Sequence, residues 1–593
     1  MKSKIIALFL IFFIPIIYFY NEPVATLSLA LVSSAFAIYY SIDFNKHKFI
    51  PTKLLNTVSI LIFVWFMVIG RSVCCSCSTY SSWSAFVKLC SLILMMFSLS
   101  IELSNQEHEK SLFFYKISAF TGFLQGIMAI CEYIEAPQIP PTWLDPASKE
   151  LFRTRCCGIM TDPNIFSAFL SAIFLMTIGL ILKSENKKEQ TLAAISLLCS
   201  GTGIFMTLSR GGWVALAVAL AVFIVFLFIG KIKPDNYQIK TLAVTAIILI
   251  TIFFSGPFKY RLFSITKPTD MTFSQRTLIN KGIFKSMNKL PIIGHGLHSF
   301  TQVYPLYRIV GGDYPMNAHN EILHSLIETG FLSSVLLVFI TIYLIKLAYI
   351  EAKKANLDSI VFSSVFASLF VQNLSGFSSR VLPTSVLIVL SVGAMLSSQL
   401  KNTKTNYCCH KFSQISIAKM GIIILSLFVL VCGTKNYISL MKLESANNLV
   451  ATGNIAKASE AFKAILEKQP DNTSAANSLG MILLLAKQPE QAISTWKKAM
   501  EYNKLEAIFP INIARAYTDT DRLLAESYYQ YALQLDPASE NYRVEYAQYL
   551  IKNGKKTEAK KILEEGLTYS PGFHNVYKGF LQIEQLLKEL SAN

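Results

Sequence analysis

Asn317-Ala318-His319-Asn320-Glu321-Ile322-Leu323-His324 ends a long polar interval and opens an apolar run that passes Gly330 and continues to about Tyr349. A span needs about 20 mainly apolar residues, so residues 321–349 are long enough to cross a bilayer. A histidine therefore stands where a loop enters a membrane helix, and imidazole exchanges a proton near neutral pH. The interval upstream, from about Phe258, carries Arg261, Arg276, Arg308 and the turn-rich piece Pro291-Ile-Ile-Gly294-His295-Gly296. Arginine at such a mouth suits an anionic substrate.

Outward from that junction the chain falls into two parts. It has 593 residues, 53% hydrophobic and only 15% charged, where a soluble protein carries about 25% charged. The deficit is confined to residues 1–433, which read as a polytopic membrane domain, whereas 439–593 have ordinary soluble composition. Apolar runs lie near 5–20, 24–42, 54–70, 83–101, 112–134, 164–182, 191–208, 213–229, 241–257, 321–349, 359–377, 381–400 and 415–433. The fold class is therefore all-α, a polytopic transmembrane bundle of about 12–13 spans followed by a soluble module. The first run, behind Met1-Lys-Ser-Lys, has no small-residue cleavage site and reads as a retained helix.

Lysines set the orientation. With the N-terminus inside, Lys46, Lys48 and Lys53, then Lys110, then Lys183, Lys187 and Lys188, then Lys231, Lys233 and Lys240, then Lys353 and Lys354, then Lys401, Lys404 and Lys411 all fall on one side. The net charge of +17 is thereby a matter of topology, and no nucleic-acid partner is implied. The other side receives 135–163, the turn Ser209-Arg210-Gly211-Gly212, the loop of about 258–320 and the C-terminal module. Arg153, Arg155, Arg210, Arg261, Arg276 and Arg308 lie there against the topological bias, and something anionic on that face would account for them. Long loops escape the bias, but the four-residue turn holding Arg210 is short. Eleven cysteines show no metal spacing. Cys74, Cys75, Cys77, Cys156 and Cys157 fall outside, where disulfides can form, while Cys408 and Cys409 fall inside.

The C-terminal module repeats at a period of 34. Ala446, Leu449, Gly453, Ala458, Phe462 and Pro470 recur as Gly480, Leu483, Ala492, Trp496 and Ala499, then as Ala514, Tyr517, Ala525, Tyr529, Ala532 and Pro537, then as Ala547, Leu550, Gly554, Ala559, Leu563, Gly566 and Pro571. Small residues let paired helices approach and proline ends the second helix. The pattern resembles the tetratricopeptide repeat, an α-solenoid of roughly four units with a capping helix after Gly572.

His319-Asn320, nine residues, then Gly330, placed where an outside loop enters a membrane helix, resembles the O-antigen ligase superfamily, which also contains O-antigen polymerases and protein O-oligosaccharyltransferases. Ser209-Arg210-Gly211-Gly212-Trp213 is similar to that family's arginine turn. Arg155 with Gly158 and Asp162-Pro163-Asn164 resembles the loop before it, and Arg276 followed by Pro291, Gly294, Gly296 and Phe300 the segment before the histidine. The resemblance covers about residues 120–400. It departs at Ser333, where the family has Gly, Thr or Tyr.

The resemblance implies a bacterial cytoplasmic-membrane enzyme that moves a glycan from a polyprenyl diphosphate carrier to an acceptor hydroxyl outside. His319 would be the general base, and Arg210, Arg276 and Arg155 would hold the diphosphate. Asn320, Glu328, Gly330, Gly294 and Gly296 would support them. No Asp-x-Asp pair and no clustered carboxylates lie in an outside loop, so no metal requirement is expected, and no cofactor. The acceptor stays open between a lipid, a glycan and a protein, the repeats offering a surface for a protein partner. Other readings are an anion transporter and a passive anchor for the repeats. At the residue level, Asn320 can serve simply as an N-cap, and His324 as buried support. His295 and His298 can touch substrate or only fill a glycine turn. Glu328 can pair with an arginine inside the bundle. Asp162 can orient Arg155 or cap the next helix, and Trp213 and Trp143 read as interface anchors or sugar platforms.

Overall fold

The computed structural model describes residues 2–42, 57–104, 108–135, 154–256, 258–263, 271–309, 315–401, 412–569 and 578–592. Arg153, Trp143, Cys408, Cys409, Lys46, Lys48, Lys53, Lys404, Lys411, Pro571 and Gly572 lie outside them. Among the described residues the regular structure is helical throughout, and eleven helices are long and apolar enough to cross a membrane. Two more, Lys187–Met206 and Leu357–Asn373, stand where the sequence suggests spans. The first is too polar to join the eleven and the second, at 17 residues, too short.

Pro163–Lys183 is the axis of the bundle: 94% of its apolar window is buried, against 17% for Asn236–Ser255 at the periphery. Asp162 starts it as N-cap, its carboxylate accepting from the amides of Asn164 and Ile165, with Pro163 in the first turn. His108–Glu135, Lys187–Met206 and Leu357–Asn373 pack around it. Small residues allow this tightness. A Cβ on Gly126 would lie 2.3 Å from the backbone of Cys199, a close approach of the kind that joins helices in lipid.

The two ends of the bundle sort as the lysine pattern requires. At one end Lys183 pairs with Asp358 at 2.7 Å, and Ser111 and Tyr115 donate to the same carboxylate at 2.9 Å each. Lys116 meets Glu189 there as well, at 2.6 Å. These residues border loops that the charge bias places together. At the other end gather Arg155, Arg210, Arg380 and the histidine loop.

The run 321–349 is not one helix. It divides into Glu321–Glu328 and Gly330–Lys353. At the break Gly330 has φ +87°, and the turn after Pro291 is pressed into it. The amides of His295 and Gly296 donate to the carbonyls of Ile327 and Glu328, and Phe331 donates back to Ile292. Gly294, φ +71°, touches Glu328 so closely that a Cβ there would sit 2.4 Å from its carbonyl oxygen. Apolarity cannot reveal such a break, because the carbonyls it frees are satisfied by a distant loop. On Gly330 itself a Cβ would lie 2.1 Å from the Ile292 oxygen. Gly330→Ala is therefore expected to destabilise the protein by about 1–3 kcal/mol, read as a lower thermal midpoint. An unchanged midpoint would mean the break is not held as described.

The last span and the first repeat are also joined differently from the sequence reading. Phe412–Ala451 is one 40-residue helix, with no linker between 433 and 439. Gly433 does not break it, since it packs against Ala30. The pairs Thr473–Leu485 with Pro489–Tyr502, Ile508–Tyr517 with Arg522–Leu535, and Glu540–Lys552 with Lys556–Leu567 follow, and Lys578–Ala592 caps the stack. Gly480 receives the Trp496 ring, where a Cβ would come within 2.2 Å.

Two further expectations change. Trp213 is buried, donating to the Ile204 carbonyl at 2.9 Å and standing edge-on to Phe205 and Phe253, so it is packing rather than an interface anchor or sugar platform. Cys74, Cys75, Cys77, Cys156 and Cys157 are free thiols.

Candidate functional site

The site begins with three short segments that converge on the end of the bundle. The loop before Pro163 lies along the end of Lys187–Met206, the Cys156 amide donating to the Met206 carbonyl at 3.0 Å. It carries Arg155, whose Nε donates to the Thr207 carbonyl at 3.1 Å and whose Nη2 donates to Asn164 Oδ1 at 3.2 Å. Ser209 Oγ donates to that same oxygen at 2.9 Å and caps Arg210–Ile229 by accepting from Gly212. Asn164 thus ties the Arg155 loop to the Arg210 turn. Gly212 makes the approach possible, for a Cβ there would fall 2.0 Å from Ser167 Oγ.

Arg261, on the helix Phe258–Phe263, and Arg276, on Met271–Lys285, complete the group. Burial and then the field of Arg261 lower the Arg155 guanidinium to about 10. Asp162 opposes them, and Arg276 and Arg210 lower it further. Arg155 therefore feels guanidiniums from three other segments. Asp162 serves as cap and as counter-field at once.

His319 stands beside them. Its backbone is left-handed, φ +51°, which is costly for a residue with a Cβ. Its ring is edge-on to Phe377 at 5.4 Å between centroids, and Nδ1 is enclosed without a hydrogen bond among the described residues. Burial first, then Arg276 and His324, lower its pKa to about 3, so the ring is neutral at physiological pH. Thr161, Leu208 and His298 are also left-handed, at φ +58°, +51° and +62°. Four strained residues in the segments that build one site agree with the tendency of strain to collect where function needs it.

A second group fixes the histidine loop from behind. Asn320 is indeed the N-cap of Glu321–Glu328, accepting from Ile322 and Leu323. His324 Nδ1 accepts from the Ala318 amide at 3.3 Å, which leaves its proton on Nε2, 3.0 Å from Glu328 Oε1. Glu328 Oε2 receives Arg380 Nη1 at 2.6 Å, and Arg380 also forks onto Glu321 at 2.9 and 3.2 Å. Lys88 donates to the Arg380 carbonyl at 3.0 Å. His324 and Glu328 are thus supports, one residue removed from His319.

Sequence reasoning passed over Arg380 and Lys88. Arg380 sits, like Arg210, in a tight turn between two spans on the same side, and that signal was there to find it. Arg308 has another role: it is buried, and its Nη1 donates to the Ala538 carbonyl of the repeats at 3.4 Å. Thr79 to Asp471 at 2.9 Å and Ser78 to Asn503 at 3.4 Å extend the same docking.

Residues 195–340 match the O-antigen ligase family. The match runs through the Arg210 turn, Arg276 and the His319 loop, and it takes in about a quarter of the chain. The ligase-like segment is followed by a match to the tetratricopeptide repeat at 443–501. No curated protein matches the chain. Among solved structures, MamA is 18% identical, covering 25% of this chain and 92% of its own, with a TM-score of 0.21. Yeast Tom70 is 12% identical over 73% and 89%, TM-score 0.28, and the APC/C hetero-tetramer Cut9-Hcn1 10% identical over 88% and 98%, TM-score 0.23. At these scores nothing further follows from them.

Proposed function

We propose that the protein transfers a glycan from a polyprenyl diphosphate to an acceptor hydroxyl at the outer face of a bacterial cytoplasmic membrane. The observation that carries this is the tie from Arg155 through Asn164 to the Ser209-Arg210 turn, with Arg261 and Arg276 acting on Arg155 and Arg276 also on the left-handed His319. The match of residues 195–340 to the O-antigen ligase family supports the same class of chemistry.

The acceptor O–H gives its proton to His319 as its oxygen bonds to the anomeric carbon of the glycan. The bond from that carbon to the phosphate oxygen breaks, and its electrons leave with the polyprenyl diphosphate. Guanidiniums fork onto phosphate oxygens and stabilise the charge that grows on the leaving group. Attack opposite the diphosphate inverts the anomeric centre. The repeats, docked beside the histidine loop, lie on the outer side in this reading.

Purified protein given glycan-loaded polyprenyl diphosphate and a panel of lipid, glycan and seryl acceptors is expected to release polyprenyl diphosphate and form the inverted product. Release without transfer, or a retained anomeric configuration, contradicts the scheme. Sidedness is read separately, by labelling Glu564→Cys in intact cells with a membrane-impermeant maleimide. Protection of that cysteine would put the repeats inside.

A further inference from the structure

A cavity of about 700 Å³ opens beside the histidine loop. Asn317, two residues before His319, lines it, and so do Glu321 and Arg380, whereas Arg155, Arg210, Arg261 and Arg276 do not. Its mouth is polar and its depth apolar. From Lys88 at the mouth the lining continues along Thr79–Ser104 to Met96, a descent on the order of 12 Å. Phe366, Phe370 and Val392 face it from the neighbouring spans. Asn436, Tyr437 and Leu440 contribute from the helix that continues into the repeats, so the repeat module helps to form the wall.

The charges differ from those of the arginine side. Lys88 and Arg380 are the lysine and arginine in the lining, and Arg380 is already committed to Glu321 and Glu328. Glu22 brings a third carboxylate, 3.8 Å from Lys88. Carboxylates thus outnumber the lysine and arginine in this lining, in contrast to the arginine group around Arg155. An added phosphate would meet the carboxylates at close range, while sugar hydroxyls can donate to them.

We propose that this cavity is the acceptor site and that its ligand is an amphiphile with an uncharged, polyhydroxylated headgroup on a long aliphatic chain. The proposal deepens the glycan-transfer reading and rests on it for the word acceptor. His319 does not itself line the cavity but follows Asn317 by two residues on the same loop, so a hydroxyl presented at that end would approach it from the cavity side. The charge contrast disfavours an anionic headgroup in the cavity. The same apolar depth could hold the carrier's isoprenoid tail, and the test separates the two.

The full-length protein in phosphatidylcholine nanodiscs is exposed to an alkyl maltoside with a chain-end diazirine, or to a polyprenyl diphosphate with the same group. The maltoside probe is expected to label Thr79–Ser104 and Leu382–Lys401. Unlabelled alkyl maltoside should compete at least about tenfold better than its phosphorylated form, because burying the extra charge is costly. Met96→Trp, which fills the depth, should lower labelling and raise acceptor KM by about tenfold while leaving donor KM unchanged. Val392→Phe, on the facing span, is the second variant should Met96→Trp not fold.

Labelling needs no turnover and should survive His319→Ala. Labelling without any transfer would therefore remove the glycan-transfer reading and keep an amphiphile site. Preferential labelling by the polyprenyl probe, equal competition by the phosphorylated form, or labelling no stronger than with a diazirine phospholipid would each overturn the proposal.

Discussion

His319→Ala is expected to lower glycan transfer by about 10²–10⁴-fold, the range general-base catalysis supplies, with the thermal midpoint nearly unchanged. The ring is held at one edge by Phe377, and its Nδ1 makes no hydrogen bond among the described residues. Its removal therefore costs little packing, and alanine can keep the backbone turn about as well as histidine does. The pH profile says more. A pKa lowered to about 3 keeps His319 in its base form throughout the accessible range, but it also makes the free imidazole a weak base. Arg276 follows burial among the causes of that depression. A bound diphosphate offsets the field of Arg276, so the pKa rises once donor is present, while burial continues to hold it down. The donor kcat/KM, which reports the free enzyme, should therefore show no acid limb from His319 between pH 5 and 8. The kcat, which reports the complex, should fall as pH drops through the raised value and the ring takes a proton. Transfer that survives His319→Ala, or an acid limb in kcat/KM of the unaltered enzyme, would remove the general-base role.

How far the sequence reveals this architecture depends on the length scale of each feature. Spans are legible because apolarity over about 20 residues is a local sum. The sorting of loops to two ends of the bundle is legible because each short lysine loop votes separately, and the meeting of Lys183 with Asp358 at one end agrees with it. The repeats are legible because the same small residues return in each unit. The break at Gly330 is not, since it depends on the turn at Gly294, 36 residues earlier in the sequence. Nor is the unbroken helix Phe412–Ala451, where a glycine that usually ends helices is used for packing. For the candidate site, topology flagged Arg153, Arg155, Arg210, Arg261, Arg276 and Arg308 as arginines against the insertion bias, and the family resemblance singled out Arg155, Arg210, Arg276 and His319. Arg308 serves docking to the repeats instead. Arg380 was passed over although its turn, between the runs 359–377 and 381–400, carries the same signal as the Arg210 turn. Which arginines share one anion is a matter of three-dimensional proximity, and sequence order does not encode it.

Proximity of that kind sets the other large expectation. Arg210→Lys and Arg276→Lys should each lower kcat by about 10²-fold, comparable to losing one preorganised donor to a developing charge. Both variants should stay folded. Lysine keeps the charge but loses the fork: one ammonium cannot span two phosphate oxygens in a plane as a guanidinium does. The loss belongs mainly in kcat, because the phosphate oxygen gains charge as the anomeric bond breaks. The shared ground-state charge is largely kept by lysine, so donor KM should move less. The double variant decides between one anion site and two. Arg210 and Arg276 both act on Arg155, and Arg276 acts also on His319, so the proposal assigns them to a single diphosphate. Two residues on one ligand are coupled, and their effects should combine to well short of the product of the single losses. Multiplicative losses would mean that the arginines serve separate ligands, and normal turnover in both single variants would end the diphosphate assignment. Arg155→Lys is less diagnostic, because Arg155 also binds the Thr207 carbonyl and Asn164 and so holds the turn that carries Arg210. Its loss should lower the thermal midpoint together with the rate, which separates a residue that shapes the site from one that grips the leaving group.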